Sequence, residues 1–142
     1  MNRKRILFID DEVNVLNALR RILRHQRKTW EMDFAESVDD ALVRLQQQAY
    51  DLVLSDVMMP GKSGLDLLEI MQLEADICDI PVIILTGLQQ TDLKRRALEL
   101  GAVDLLNKPV QAEDLEARIR SVLRIKSYQD ELREKNYYFK LG

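Results

Sequence analysis

Five side chains able to do chemistry stand at the ends of apolar runs. Asp10 and Asp11, with Glu12 behind them, follow Ile6-Leu7-Phe8-Ile9. Asp56 closes Leu52-Val53-Leu54-Ser55, and Thr86 closes Val82-Ile83-Ile84-Leu85. Lys108, followed by Pro109, closes Val103-Asp104-Leu105-Leu106-Asn107. If these run ends converge, three carboxylates, a hydroxyl and an ammonium share one pocket. Crowded carboxylates at ~4 Å repel by about 4 kcal/mol at an effective dielectric near 20, a cost that a divalent cation relieves. Magnesium takes oxygen ligands and leaves room for phosphate, while an ammonium and a hydroxyl suit phosphoryl oxygens. The pocket therefore suits a divalent metal ion and a phosphoryl group, although Asp56 taken alone also reads as a strand-end aspartate that caps the following turn.

Apolar runs alternate with helical patterns five times, and this alternation must position the five groups. Residues 5–10, 51–56 and 102–107 read as strands, and a fourth opens at Ile80-Pro81 and ends at Thr86. Trp30, Met32 and Phe34 alternate with polar residues, the period of a half-buried edge strand. Residues 13–27 read as a helix with Val15, Leu16, Leu19, Ile22 and Leu23 on one face. Ser37 caps a second helix whose buried stripe is Ala41, Leu42, Leu45 and Ala49. Residues 64–74 and 90–100 make two more, the latter ended by Gly101 in a left-handed cap. The last starts near Gln111 and uses Leu115, Ile119, Val122 and Leu123. Such alternation implies a parallel sheet with right-handed crossovers and helices on both faces. Ligands of open parallel sheets bind beyond the carboxyl ends of the strands, where all five groups lie.

The 142 residues fit one domain plus an appendage. A content of 46% hydrophobic residues supports a real core, and a net charge of −3 argues against a global field for nucleic acid. The cluster Arg20, Arg21, Arg24, His25, Arg27 and Lys28 reads as a solvated helix face whose cations complement the helix dipole. His25, the only histidine, reads as a surface residue. A single cysteine, Cys78, excludes an internal disulfide and fits a reducing compartment, with packing or loop filling as its expected role. No apolar stretch approaches the ~18 residues of a membrane span, and the short apolar run after Met1-Asn2-Arg3-Lys4-Arg5 does not make a signal sequence. A cytoplasmic location is expected.

Asp10-Asp11-Glu12, Asp56-Val57-Met58-Met59-Pro60 with Gly64, Thr86-Gly87, and Gly101-Ala102-Val103-Asp104 leading to Lys108-Pro109 together resemble the receiver domain of bacterial response regulators. Each motif is weak alone, but four in order at strand ends are specific, and the resemblance covers roughly residues 4–124. It implies an α/β fold with a doubly wound, five-stranded parallel sheet of order 2-1-3-4-5, flavodoxin-like. It divides the chain into a receiver domain, 1–124, and a helical linker or extension, 125–142. It implies a switch in a two-component phosphorelay that accepts a phosphoryl group on Asp56 with Mg2+ and catalyses only its own phosphorylation and dephosphorylation. Asp11 and Asp56 would bind the metal directly, Asp10 mainly through water, and Met58 through its backbone carbonyl. Lys108 would pair with a phosphoryl oxygen, aimed by a cis Lys108–Pro109 bond, and Thr86 would donate its hydroxyl. The implied phosphodonor is a sensor histidine kinase or a phosphotransfer protein.

One position departs from that pattern. The family carries Tyr or Phe three residues before the lysine, and here Leu105 stands there. Leucine cannot swing a ring in response to Thr86, so signalling is expected to rely on the loop from Gly87 to Gln90 and on the last helix. Met58 and Leu88 flank the expected path of attacking water, and neither can orient it, so slow self-dephosphorylation is expected. An aspartate-nucleophile phosphatase would place a second acid where Met58 stands, and a flavin carrier would not place three acids after strand one. The alternative on the same fold is a constitutive docking module that is never phosphorylated.

Beyond residue 124 the chain stays polar. Ile125, Tyr128, Leu132 and Phe139 fall near a and d positions, with Lys135 interrupting the seam. This extension and its terminal Tyr137-Tyr138-Phe139 are expected to lead toward an output domain of unknown identity. A homodimer through helix four, strand five and helix five, or through the C-terminal helix, is a further expected interaction. No membrane and no direct nucleic-acid partner are expected for this segment.

Overall fold

The computed structural model describes the backbone of residues 3–87 and 91–141, with side chains in those ranges as far as Lys135. The expectations for Leu88, Gln90 and the aromatics of Tyr137, Tyr138 and Phe139 lie outside the described side chains. Five strands, β1 (Lys4–Ile9), β2 (Trp30–Ala35), β3 (Leu52–Asp56), β4 (Val82–Thr86) and β5 (Asp104–Asn107), alternate with five α-helices. These are α1 (Val13–Ile22), α2 (Val38–Gln47), α3 (Gly64–Gln72), α4 (Thr91–Glu99) and α5 (Ala112–Leu141). Every pairing is parallel, and the sheet order is β2-β1-β3-β4-β5. Strand order reverses between β1 and β3, which opens a crevice at their carboxyl ends.

Alternation along each strand sends side chains to two cores. Leu7, Ile9, Val53 and Ile84 meet α2, α3 and α4 through Ala41, Leu45, Leu67, Leu68, Met71 and Ala97. Ile6, Phe8, Leu54, Ile83 and Leu85 meet α1 and α5 through Leu16, Leu19, Leu115, Ile119 and Leu123. Both faces of the central strands are covered, so β3 and β4 are buried at every residue, as their unbroken apolar sequence requires. No described helix is long and apolar enough to cross a membrane.

Several element ends differ from the sequence reading. Helix α1 stops at Ile22, and a single 3-10 turn, Arg24–Gln26, replaces the expected last turn. Like charges at Arg20, Arg21 and Arg24 stack at spacings of three and four there, which disfavours continuation. Helix α2 ends before Ala49, which is exposed, and Tyr50 is buried in its place. Ser37 does cap α2, accepting from the Asp40 amide at 3.0 Å. Gly101 takes φ of 104° after α4, a conformation that favours glycine, and Gln72 packs where a Cβ would stand. Cys78 is exposed and does not fill the core. The last helix crosses residue 124 without interruption, and Arg133 pairs with Asp79 at 2.8 Å beside the amino end of β4.

Tyr50 donates to Asp33 at 2.6 Å, and Asp33 also accepts from Arg5 at 3.1 Å. Burial, then the hydrogen bond to Asp33, pushes the Tyr50 phenol up to about 12. The folded state therefore keeps a proton that the unfolded chain releases near pH 10. Stability tied to this group is complete below about pH 10 and is lost as pH rises toward about 12. Urea unfolding across that window will show a loss of roughly 2 kcal/mol in the parent, over and above that in Tyr50→Phe. Parallel curves for the two proteins would remove Tyr50 from the account.

Candidate functional site

Asp10 follows the last residue of β1 and is fully buried. Its backbone amide donates to the Ala35 carbonyl at 3.1 Å, and its carboxylate accepts from the Glu12 amide at 2.9 Å. These bonds lock the turn into α1 and aim the second Asp10 oxygen across the crevice. Asp56 ends β3 and is only 6% exposed. Asp11 is the most exposed of the three acids. One carboxylate oxygen from each of Asp10, Asp11 and Asp56 lies within 4.8 Å of the others. That spacing fits a hard cation held by oxygen ligands.

Lys108 enters from the far side of the crevice. Its Nζ lies 2.8 Å from Asp56 Oδ1 and 3.3 Å from Asp10 Oδ2. The Lys108–Pro109 peptide is cis, and the Lys108 amide donates to the Thr86 carbonyl at 2.8 Å. Burial acts to lower the ammonium, but the hydrogen bond to Asp56 and the charges of Asp56 and Asp10 outweigh it and hold Lys108 above its ordinary value. Burial pushes the Asp56 carboxyl up, the Lys108 hydrogen bond and charge draw it part of the way back, and Asp10 adds to the rise. One ammonium thus serves two buried acids.

Thr86 ends β4 and is fully buried. Its hydroxyl donates to Asn107 Oδ1 at 3.5 Å, a long bond, between residues paired in the β4–β5 register. Met58 is 57% exposed in the loop after β3. Leu105 is half-buried against the core beneath α4. The structure therefore gathers Asp10, Asp11, Asp56 and Lys108 into one polar cluster. Thr86 stands at the rim facing Asn107, Met58 lies on the outer side, and Leu105 lies below. Asn107 was not singled out from the sequence, because only the strand register brings it opposite Thr86. Asp104 was also missed as a partner. It accepts twice from Arg118 at 2.7 Å, clamping β5 to α5.

The loop after β3 needs Gly64 for close approach. Its amide donates to the Val57 carbonyl at 3.0 Å, and a Cβ there would collide with the Asp56 carbonyl and reach 3.2 Å from Val57 Cα. The next turn is fixed by a capping box, in which Ser63 Oγ accepts from the Asp66 amide and Asp66 from the Ser63 amide. Gly64→Ala will push the loop off the Asp56 backbone and destabilise the protein by about 1–3 kcal/mol, measured by chemical unfolding. A shift below about 0.5 kcal/mol would show that the loop yields freely.

Comparison with known proteins follows the same residues. Residues 6–120 match the family described as "Response regulator receiver domain". The chain is 40% identical over 116 residues to the transcriptional regulatory protein DltR of Streptococcus agalactiae, covering 82% of this chain and 50% of that protein. It is 36% identical over 121 residues to the phosphate regulon transcriptional regulatory protein PhoB of Klebsiella pneumoniae, covering 85% of this chain and 52% of that one. The chain thus spans about half the length of these curated relatives. Among solved structures, a response regulator receiver domain protein from Clostridium thermocellum aligns with a TM-score of 0.80 at 31% identity, over 89% of this chain and 98% of that one. A structure described as adenylate cyclase from Rhodopirellula baltica aligns with a TM-score of 0.82 at 26% identity, over 99% and 100% of the two chains.

Proposed function

The chain belongs to the response regulator receiver domain family, and from that membership we propose that it is a phosphorylation-controlled switch, with Asp56 as the phosphoacceptor. The observation that carries this reading is the position of Lys108 Nζ, within 3.3 Å of both Asp56 and Asp10, at a rim where three acids meet. An Asp56 oxygen attacks phosphorus, the bond to the donor breaks, and the electron pair leaves with the donor. For a phosphohistidine donor that bond is P–N, and the imidazole nitrogen keeps the pair.

Asp10, Asp11, Asp56 and the Met58 carbonyl would hold magnesium, which when bound neutralises charge on the phosphoryl oxygens. Lys108 supplies a second positive charge from the opposite side. Before transfer its ammonium is engaged by Asp56 and Asp10, so the pocket is preorganised for an anion that replaces those contacts. The Thr86 hydroxyl turns from Asn107 toward the new phosphoryl oxygens. Leu105 offers no ring to follow that movement, so the change passes to the loop after β4 and to α5.

The partners under this reading are a sensor histidine kinase or phosphotransfer protein in the cytoplasm, and an output carried by a longer chain or a separate protein. The matched relatives are transcriptional regulators. A second copy of the chain would meet this one through the α4–β5–α5 face or along α5, where Ile125, Tyr128 and Leu132 form an exposed stripe. The chain acts on no external metabolite and catalyses only its own phosphorylation and dephosphorylation. Incubation with acetyl phosphate and magnesium, read by intact mass, tests the reading. One base-labile phosphoryl group located on Asp56 supports it. No incorporation at any magnesium concentration overturns it in favour of the constitutive docking module.

A further inference from the structure

A second feature lies at the other edge of the sheet. Strand β2 is one of the two edge strands, so among the described residues alternate amides and carbonyls along one side of it have no neighbouring strand. An open cleft of about 590 Å3 runs along this edge. Arg5, Glu31 and Asp33 line it from one face of the sheet, Met32 and Phe34 from the other. Residues of opposite faces border one space only when that space wraps around the strand edge.

The charge around the edge is uneven. On one face Glu31 and Asp33 are neutralised by Arg3 and Arg5. On the face toward α1, Arg20, Arg21, Arg24 and Arg27 line the cleft. Among the described residues none of these four pairs with a carboxylate. Arg20 lies 4.1 Å above the Phe34 ring, which stacks on Phe8 at 5.1 Å. Half-buried Met32 and Phe34 make an apolar floor beneath the arginines. The end of α1 at Ile22 puts Arg24 and Arg27 on a 3-10 turn and its cap, not on a continued helix face.

We propose that this edge is a docking surface for an acidic segment of a partner protein, which adds to β2 as a further strand. Its backbone completes the free edge, and every second side chain, Asp or Glu, lays its methylene groups on Met32 and Phe34 and its carboxylate against the arginines, while the apolar residues between them turn to the opposite face. A nucleic acid fits less well. The basic surface is confined to one helix end on a chain of net charge −3, Glu31 and Asp33 border it, and a phosphate backbone has no strand ladder to offer. The inference does not depend on phosphorylation of Asp56.

The test uses the full chain and a fluorescent peptide of about ten residues alternating Glu and Val, enough to pair with a strand of ordinary length. Control peptides replace Glu by Lys, or place Pro at the positions that would donate to β2. Binding of the Glu peptide is expected to weaken as salt rises and to fall at least about tenfold in R21E/R24E/R27E. The Lys and Pro peptides should fail to bind, and hydrogen exchange should slow at Met32–Phe34. If charge reversal lowers the melting temperature, R21Q/R24Q/R27Q carries the same expectation. Absence of binding at millimolar peptide, equal binding by the Pro peptide or by the arginine variants, or tighter binding of a DNA oligonucleotide at the same residues would each overturn the proposal.

Discussion

Asp56→Asn takes up no phosphoryl group from acetyl phosphate and magnesium, and its metal-free form melts about 2–4 °C above the parent. The first half follows from the loss of a nucleophilic oxygen. The second follows from the crowding of Asp10, Asp11 and Asp56 within 4.8 Å. Two carboxylates about 5 Å apart repel by roughly 3 kcal/mol at an effective dielectric near 20, and Lys108 offsets part of that. The direction of the Asp56 shift gives the same sign. Burial holds the folded carboxyl above its ordinary value, so the folded state binds the proton more tightly than the unfolded chain. Stability tied to Asp56 is present at low pH and is lost as pH rises through the carboxylate range. Asparagine keeps the shape and an oxygen for Lys108 without the charge. Calorimetry at neutral pH should show the variant ahead, with the gap closing as pH falls. A variant less stable than the parent at neutral pH would refute the repulsion argument, and one that still labels would move the acceptor elsewhere.

Lys108→Met should slow phosphoryl transfer by at least about a hundredfold, the usual cost of removing one preorganised charge donor. It should also bind magnesium about tenfold more tightly, because the ammonium that competes with a cation for Asp56 and Asp10 is gone. Metal-free, the variant should lose about 2 kcal/mol, since two buried acids are left without their shared partner. The combination is diagnostic. A site that had simply fallen apart would bind magnesium more weakly, so calorimetric titration separates lost charge from lost structure. Unchanged transfer with unchanged magnesium affinity would mean that the contacts at 2.8 and 3.3 Å are incidental.

The strand ends were legible because each apolar run stops at a polar residue, and a parallel sheet carries such stops to one rim. The positions of Asp10, Asp56, Thr86 and Lys108 at run ends therefore suffice to put them at the same rim of the sheet. What escaped depended on register or edge geometry. Asn107 was one polar residue in a run until pairing set it opposite Thr86. Arg118 and Asp104 lie on different elements, and nothing in their spacing couples them. Arg133 and Asp79 are separated by 54 positions. The arginines after Leu19 read as a solvated helix face, because helical periodicity is silent about where α1 stops and what β2 leaves open beside it. Helical period alone puts Ala49 in a buried stripe, but α2 ends at Gln47 before reaching it.

Helix α5 begins four residues after Lys108 and runs unbroken for 30 residues, from Ala112 to Leu141, about 45 Å at 1.5 Å per residue. Leu115, Ile119 and Leu123 seat its first half against the sheet, which leaves roughly 27 Å of rod past the last of these anchors. That geometry is a lever with its fulcrum beside the pocket. A tilt of about 10° in the seated half would carry the tip by roughly 8 Å, by the same helical rise over the whole rod. Displacements too small to see at Lys108 could thus be read out as a stroke at the opposite pole of the molecule.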